Sequence, residues 1–245
     1  MSHLSNYKFD LTKTDRKLGI LIDPDEHSES GLENFIKRVL KLKPDYILIG
    51  GSLIHESSIQ LASQKIKTLT QIPLLLFPGH FNQLNNSVDA VLLLSLISGR
   101  NPDLLIGQHV LAAPILAKMG VDIISTGYML IDGGCPTSVS YISNTLPIPR
   151  DKEDIAMCTA LAGEFIGMKT IYLDAGSGAI NSVPLKMVEK VSNKVSIPLI
   201  VGGGIKDLGL IETFWEAGAN LVIIGNALEE RPSLIKTGGH TKSQL

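Results

Sequence analysis

The chain has 245 residues, 44% of them hydrophobic and 19% charged, with a formal net charge of −2. This length suits one β/α barrel of roughly 250 residues or two smaller domains, and the composition supplies a sizeable core and excludes a disordered chain. The balance of charge excludes a bulk electrostatic grip on nucleic acid, and the longest apolar stretch, residues 90–97, falls far short of a bilayer span.

Residues 1–17 are polar and charged, unlike a secretory signal, and Cys135 and Cys158 are the only cysteines. Both features predict a reduced, cytoplasmic protein. Short aliphatic and β-branched runs then recur at 18–22, 46–50, 74–77, 90–94, 122–126, 170–174, 198–201 and 221–225. Near-continuous hydrophobicity over about five residues marks strands buried on both faces.

Between the first two runs, Ser30 and Glu33 predict a capping box. Leu32, Phe35, Ile36, Val39 and Leu40 follow at helical spacing, and Pro44 stops the helix. Residues 78–88, rich in Asn, Gly and Pro, are too few for a crossover helix, so the wall should have a cleft there. Residues 103–118 predict a helix that is apolar nearly all round, which needs cover beyond one barrel face and points to a homo-oligomer, a dimer or hexamer. Residues 127–150 read as a long loop of the kind that forms lids. Asp207 is placed to cap a helix that buries Leu208, Ile211, Phe214 and Trp215 and ends at Gly218. Strands alternating with helices predict a single-domain α/β fold, a (β/α)8 TIM barrel with a short non-helical segment after its third strand. Residues 1–17 form an N-terminal segment and 231–245 a polar tail. An open doubly wound sheet is the alternative.

Chemistry should sit at the C-terminal ends of the strands. Val201-Gly202-Gly203-Gly204-Ile205 closes the seventh run and Ile224-Gly225-Asn226-Ala227 the eighth. Glycines let the backbone approach an anion, and free N–H groups at a helix start bind it, so the pair predicts a phosphate grip. Tyr172-Leu173-Asp174-Ala175-Gly176-Ser177-Gly178-Ala179 ends the sixth run, and the pleat points Tyr172 and Asp174 the same way, suited to a polyol. Leu21-Ile22-Asp23-Pro24-Asp25 offers carboxylates of the kind Mg2+ takes, and Ser52 could add a hydroxyl; a helix cap or turn is the bland reading of Asp23. His27 and His80 fall near the mouth, and the six histidines show no metal-ligand spacing. Cys135 has no pattern of a nucleophile.

These motifs, with Ile-Gly-Gly-Ser at 49–52 and Phe-Pro-Gly at 77–79, resemble the geranylgeranylglyceryl phosphate synthase family from about Leu18 to Glu230. The resemblance implies a modified TIM barrel that joins a prenyl diphosphate to the 3-hydroxyl of sn-glycerol 1-phosphate, forming the ether bond of archaeal-type phospholipids. It implies Asp23 and Ser52 as Mg2+ ligands. It implies that Tyr172, Leu173, Asp174, Ala175, Gly176, Ser177, Gly178, Gly203, Gly204, Gly225 and Asn226 hold glycerol 1-phosphate, with Asp174 and Tyr172 as the catalytic pair. It also implies a prenyl groove where the helix is missing, and a transient membrane-surface contact for product release. The family usually has Glu where this chain has Asp174. Bacterial relatives with a longer donor have Lys where this chain has Leu21, which favours the geranylgeranyl branch. A longer donor, a phosphosugar isomerase on the same barrel, and a non-catalytic phosphate-binding protein are the competing readings.

Overall fold

A computed structural model describes residues 9–51 and 56–230. Its strands are β1 (Lys17–Ile22), β2 (Tyr46–Ile49), β3 (Leu74–Leu76), β4 (Ala90–Leu96), β5 (Asp122–Leu130), β6 (Thr170–Asp174), β7 (Leu199–Gly202) and β8 (Leu221–Ile224). All eight predicted runs are strands, parallel and in sequential order, and the ladder closes where Lys17 to Ile20 of β1 pair with Leu221 to Ile224 of β8. The sheet is a barrel, not an open one.

Strand alternation divides the side chains into two cores. Tyr46, Leu48, Leu75, Leu92, Tyr172, Ile200 and Ile223 fill the interior. Ile47, Ile49, Val91, Ile171, Leu173 and Val201 point outward into a second core beneath the helices. At the base, the Phe9 ring lies 5.1 Å from that of Tyr46, and the Asn220 amide donates to the Lys13 carbonyl at 2.7 Å.

The helices are α1 (Glu29–Val39), α2 (Glu56–Leu69), α3 (Gln108–Met119), α4 (Ser138–Ser143), α5 (Glu153–Phe165), α6 (Leu185–Ser192), α7 (Gly209–Glu216) and α8 (Asn226–Glu230). In α1 the predicted Leu32, Phe35, Ile36 and Val39 are buried, but the cap lies two residues earlier than the sequence suggests. Ser28, in extended conformation, accepts the Gly31 N–H at 3.2 Å, which leaves Ser30 inside the first turn and Glu33 paired with Lys37 and Lys65. Asp207 does accept the Gly209 N–H at 2.9 Å, and Gly218 follows α7 with φ 97°.

Two stretches position the site. After β3 there is one 3-10 turn, Phe81–Gln83, so no helix connects β3 to β4, and Leu93 and Leu94 are only half-buried. The predicted long loop begins later than its composition suggests, because β5 runs on to Leu130. Gly127 lets that strand continue between Ser95 and Ile171, and the pleat then carries Tyr128 inward beside Tyr172. The remainder folds back as a strap. Ile131 bridges Ile148, α4 lies between them, and the Arg150 guanidinium donates to the Asp132 and Ser182 carbonyls at 2.9 and 2.8 Å.

A π-helical turn, Asp103–Gly107, leads into α3. Only Ala112 and Leu116 of α3 are buried, while Ile106 in that turn and Val110 and Leu111 in α3 are exposed. Among the described residues no helix is long and apolar enough to cross a membrane.

Candidate active site

Three adjoining cavities occupy the C-terminal mouth of the barrel. The first is polar, bordered by Tyr172, Asp174, Gly176, Ser177, Gly178, Gly203, Gly204, Gly225 and Asn226. The loops after β6, β7 and β8 therefore converge as the motifs predict, presenting backbone N–H groups and small side chains to one space. Ser177 Oγ donates to Asn226 Oδ1 at 3.0 Å, tying the β6 loop to the β8 loop. Lys206 lines the same cavity, with its ammonium 3.3 Å from the Ile180 carbonyl, and brings a cation to it. Lys206 is absent from the predicted set, and its place two residues beyond Gly204 is the signal for it in the sequence.

Two residues of the predicted set do not reach this cavity. Leu173 is turned outward by the pleat into the helix-side core, and Ala175 packs there too, its N–H committed to the Gly202 carbonyl at 3.1 Å. They hold the strand end in place.

Asp174 is the most constrained group at the mouth. It is 7% exposed, its Oδ1 accepts the Gly176 N–H at 2.7 Å, and its Oδ2 accepts the Tyr128 hydroxyl at 2.8 Å. Burial pushes the carboxyl above its usual range, while the two hydrogen bonds pull it back. Burial, then the neighbouring Asp174 charge, pushes the Tyr128 and Tyr172 phenols well above theirs. Both stay neutral donors. The three aromatic rings of Phe77, Tyr128 and Tyr172 lie within 5.5 to 6.2 Å of one another. The predicted loop from residue 127 leaves Tyr128 out of the site, and the alternation Thr126, Tyr128, Leu130 is the signal that places it on β5.

Asp23 ends β1 at the second cavity, which it shares with Gly50, Gly51, Ser177 and Asn226. Its Oδ1 accepts the Asp25 N–H at 3.0 Å, capping the 3-10 turn Pro24–Glu26. The bland reading is thus true, yet it occupies only one side of the carboxylate. Burial raises the Asp23 pKa, and the charges of Asp25 and Glu26 add to this. A half-buried carboxylate among other carboxylates is relieved by a cation. Among the described residues no group of three or more His, Cys, Asp or Glu could hold a metal ion. The single Asp23 carboxylate facing the cavity is the type of ligand that Mg2+ takes together with substrate phosphates and water. Ser52, the other predicted ligand, lies outside the described residues. Of the histidines near the mouth, His80 borders the third cavity and His27 pairs with Glu229 at 3.0 Å.

The third cavity is an apolar groove in the gap left after β3, walled by Phe77, Phe81, Leu84, Leu93, Leu94, Leu104 and Ala112. Asp174 and Ser177 border both this groove and the polar cavity. Leu84 also borders a further space lined by Pro114, Ile115 and Met119. Leu104, Gln108, Ala112, Ile115 and Met119 are spaced by four, four, three and four along helical backbone, so they share one face and the two spaces run in line along it. Leu84 is the partition. Leu84→Ala should therefore join the two spaces and shift the preference of the groove toward the longer of two apolar chains by roughly tenfold, the size of effect that a few methylenes in an apolar pocket produce. Competition between ligands of two chain lengths reads the ratio directly; an unchanged ratio in a folded variant would clear Leu84 of this role.

The description of the PcrB family matches residues 11–240. The chain belongs to that family. A geranylgeranylglyceryl phosphate synthase from Chitinophaga pinensis is 51% identical over 90% of this chain and 88% of its own length. An enzyme of the same name from Methanosphaera stadtmanae is 36% identical over 96% of each. The crystal structure of (S)-3-O-geranylgeranylglyceryl phosphate synthase from Thermoplasma acidophilum, in complex with substrate sn-glycerol-1-phosphate, is similar with a TM-score of 0.86 and 28% identity, over 93% of this chain and 92% of that one. An N-acetylmannosamine-6-phosphate 2-epimerase from Clostridium perfringens matches with a TM-score of 0.62 at 15% identity, a likeness of fold alone. The PcrB relatives, not the epimerase, share this chain's sequence, which favours a transferase over a phosphosugar isomerase.

Proposed function

We propose that this protein transfers a prenyl group, geranylgeranyl in the first instance, from its diphosphate to the 3-hydroxyl of sn-glycerol 1-phosphate. The observation that carries this reading is the position of Asp174, a buried carboxylate at the seam between an apolar groove and a polar, glycine-lined cavity. A reaction joining an apolar chain to a small phosphate needs both compartments to meet at the reacting atoms.

In this reading the Gly203-Gly204 and Gly225-Asn226 loops hold the glycerol phosphate anion, with Lys206 beside it. Tyr172 and Asp174 orient the glycerol, and the groove takes the prenyl chain and excludes water from it. The hydroxyl oxygen forms the new bond to the prenyl C1 as the bond from C1 to the diphosphate oxygen breaks. Asp174, its carboxyl raised by burial, accepts the hydroxyl proton, and Tyr128 keeps the carboxylate aimed. Mg2+ bound at Asp23 would neutralise the departing diphosphate. Cys135 and Cys158 remain free thiols in a cytoplasmic enzyme, and a second copy, in a dimer or hexamer, covers the exposed Ile106, Val110 and Leu111.

Incubating the protein with labelled geranylgeranyl diphosphate, sn-glycerol 1-phosphate and Mg2+ should give a lipid-soluble phosphate ether and free diphosphate. No product would end this reading. Asp23→Ala should reduce turnover by about a hundredfold or more, since a metal contributes several kcal/mol of charge stabilisation. Its circular dichroism should match the parent's, because Asp23 is only half-buried.

A further inference from the structure

We propose that Glu229 is a positioning residue that straps the Asp23 turn to the loop carrying Gly225 and Asn226, holding the two halves of the site in one register. The inference rests on the reading above and adds to it the residue that couples the halves.

The ladder between β1 and β8 stops at Ile20 and Ile224. Asp23 lies three residues beyond that last pair and Asn226 two beyond it, so strand pairing does not fix one against the other. Glu229 does. It sits on α8, three residues after Asn226, and reaches His27, the C-cap of the same 3-10 turn that Asp23 caps at its start. Its Oε1 meets His27 Nε2 at 3.0 Å, with the two side chains only 10% and 11% exposed. The His27 ring is stacked 4.7 Å from that of Phe35, a fully buried residue of α1. On the other side, Leu228 seats α8 in the core. The strap is thus anchored at both ends, and it crosses the rim above the last β1–β8 pair.

A buried carboxylate and imidazole cost desolvation energy, and the closed ladder below already holds β1 to β8. The strap therefore acts where the ladder does not, on the relative placement of Asp23 and Asn226, which face one shared cavity. Partners that hold a metal ligand in place typically contribute about 10- to 100-fold to metal affinity.

Two variants and two equilibrium measurements test this. Mn2+, as a paramagnetic stand-in for Mg2+, is titrated with the free ion followed by electron paramagnetic resonance. Glycerol 1-phosphate binding is followed by calorimetry. Glu229→Ala should weaken Mn2+ binding by roughly tenfold or more and weaken glycerol 1-phosphate binding as well. Glu229→Gln should restore both, because its amide can still hydrogen-bond His27 Nε2 at the same place. A purely structural role would lower the melting temperature and leave both affinities at parental values, and that result overturns the proposal. So does a Gln variant as impaired as the Ala variant. Asp23→Ala, titrated alongside, separates the two levels. If it keeps parental Mn2+ affinity, the cation assignment of Asp23 falls, and Glu229 is judged on glycerol 1-phosphate binding alone.

Discussion

Asp174→Asn should abolish prenyl transfer and leave the barrel more stable than the parent at pH 8. The loss follows from the proton: an amide cannot accept it, and positioned general bases contribute about 10²- to 10⁴-fold. Single-turnover assays should show a fall of that size with little change in glycerol 1-phosphate affinity, because the amide keeps the carboxylate's shape. The gain in stability follows from burial. Asp174 titrates above its ordinary value in the folded chain, so folding favours its protonated form. Its contribution is then fully present below the unfolded pKa of about 3.9 and is lost as pH rises through the folded value. Asn does not titrate. The melting-temperature difference, Asn minus Asp, should be positive at pH 8 and shrink as pH falls toward 4. The amide oxygen can still accept the Gly176 N–H, and the Tyr128 hydroxyl can turn to accept from the amide nitrogen. A variant less stable than the parent at pH 8 would mean that the two hydrogen bonds to Asp174 outweigh its desolvation.

Gly203→Ala should damage both binding and stability. Gly203 has φ 78°, where an L residue costs about 1–2 kcal/mol before any contact is counted. A methyl there would meet Asp174 Oδ1 and stand 2.5 Å from the Gly176 nitrogen and 2.7 Å from the Ala175 nitrogen. The last two are backbone atoms at the end of β6, one of them bonded to Gly202, and cannot swing aside. The β7 loop must therefore shift away from β6, opening the cavity on its phosphate side. We expect glycerol 1-phosphate binding to weaken by at least about a hundredfold, close to 3 kcal/mol, and the melting temperature to fall by several degrees. Gly120→Ala is the control: with φ 64° and nothing within 4 Å of its added methyl, it carries the backbone cost alone and should leave glycerol 1-phosphate binding at the parental value. Equal loss of binding in both variants would mean that the close approach at Gly203 is not what the cavity depends on.

The barrel and the position of its mouth are legible in the order of the residues alone. Eight short apolar runs are strands because a chain buried on both faces has to be apolar at consecutive positions, a local property that composition displays. The short gap at 78–88 fixed the missing helix for a similar reason, since a crossover helix needs a minimum length of chain. The glycine loops marked where one cavity would form, the one we propose for phosphate, because close approach of backbone to an anion requires small residues wherever the fold places it.

What faces what was settled only in three dimensions. Tyr128 and Asp174 are 46 residues apart, and their hydrogen bond depends on the register of β5 against β6. The pleat, not the motif, removed Leu173 from the polar cavity. Ser28 displaced Ser30 as the cap of α1 because both types of residue can cap and only backbone conformation chooses between them. Leu84 became a partition only once α3 lay beside it. The His27–Glu229 pair spans 202 residues and joins groups that carry no shared motif. Such pairs depend on barrel closure, which brings the first strand against the last, and closure is a property of the whole sheet.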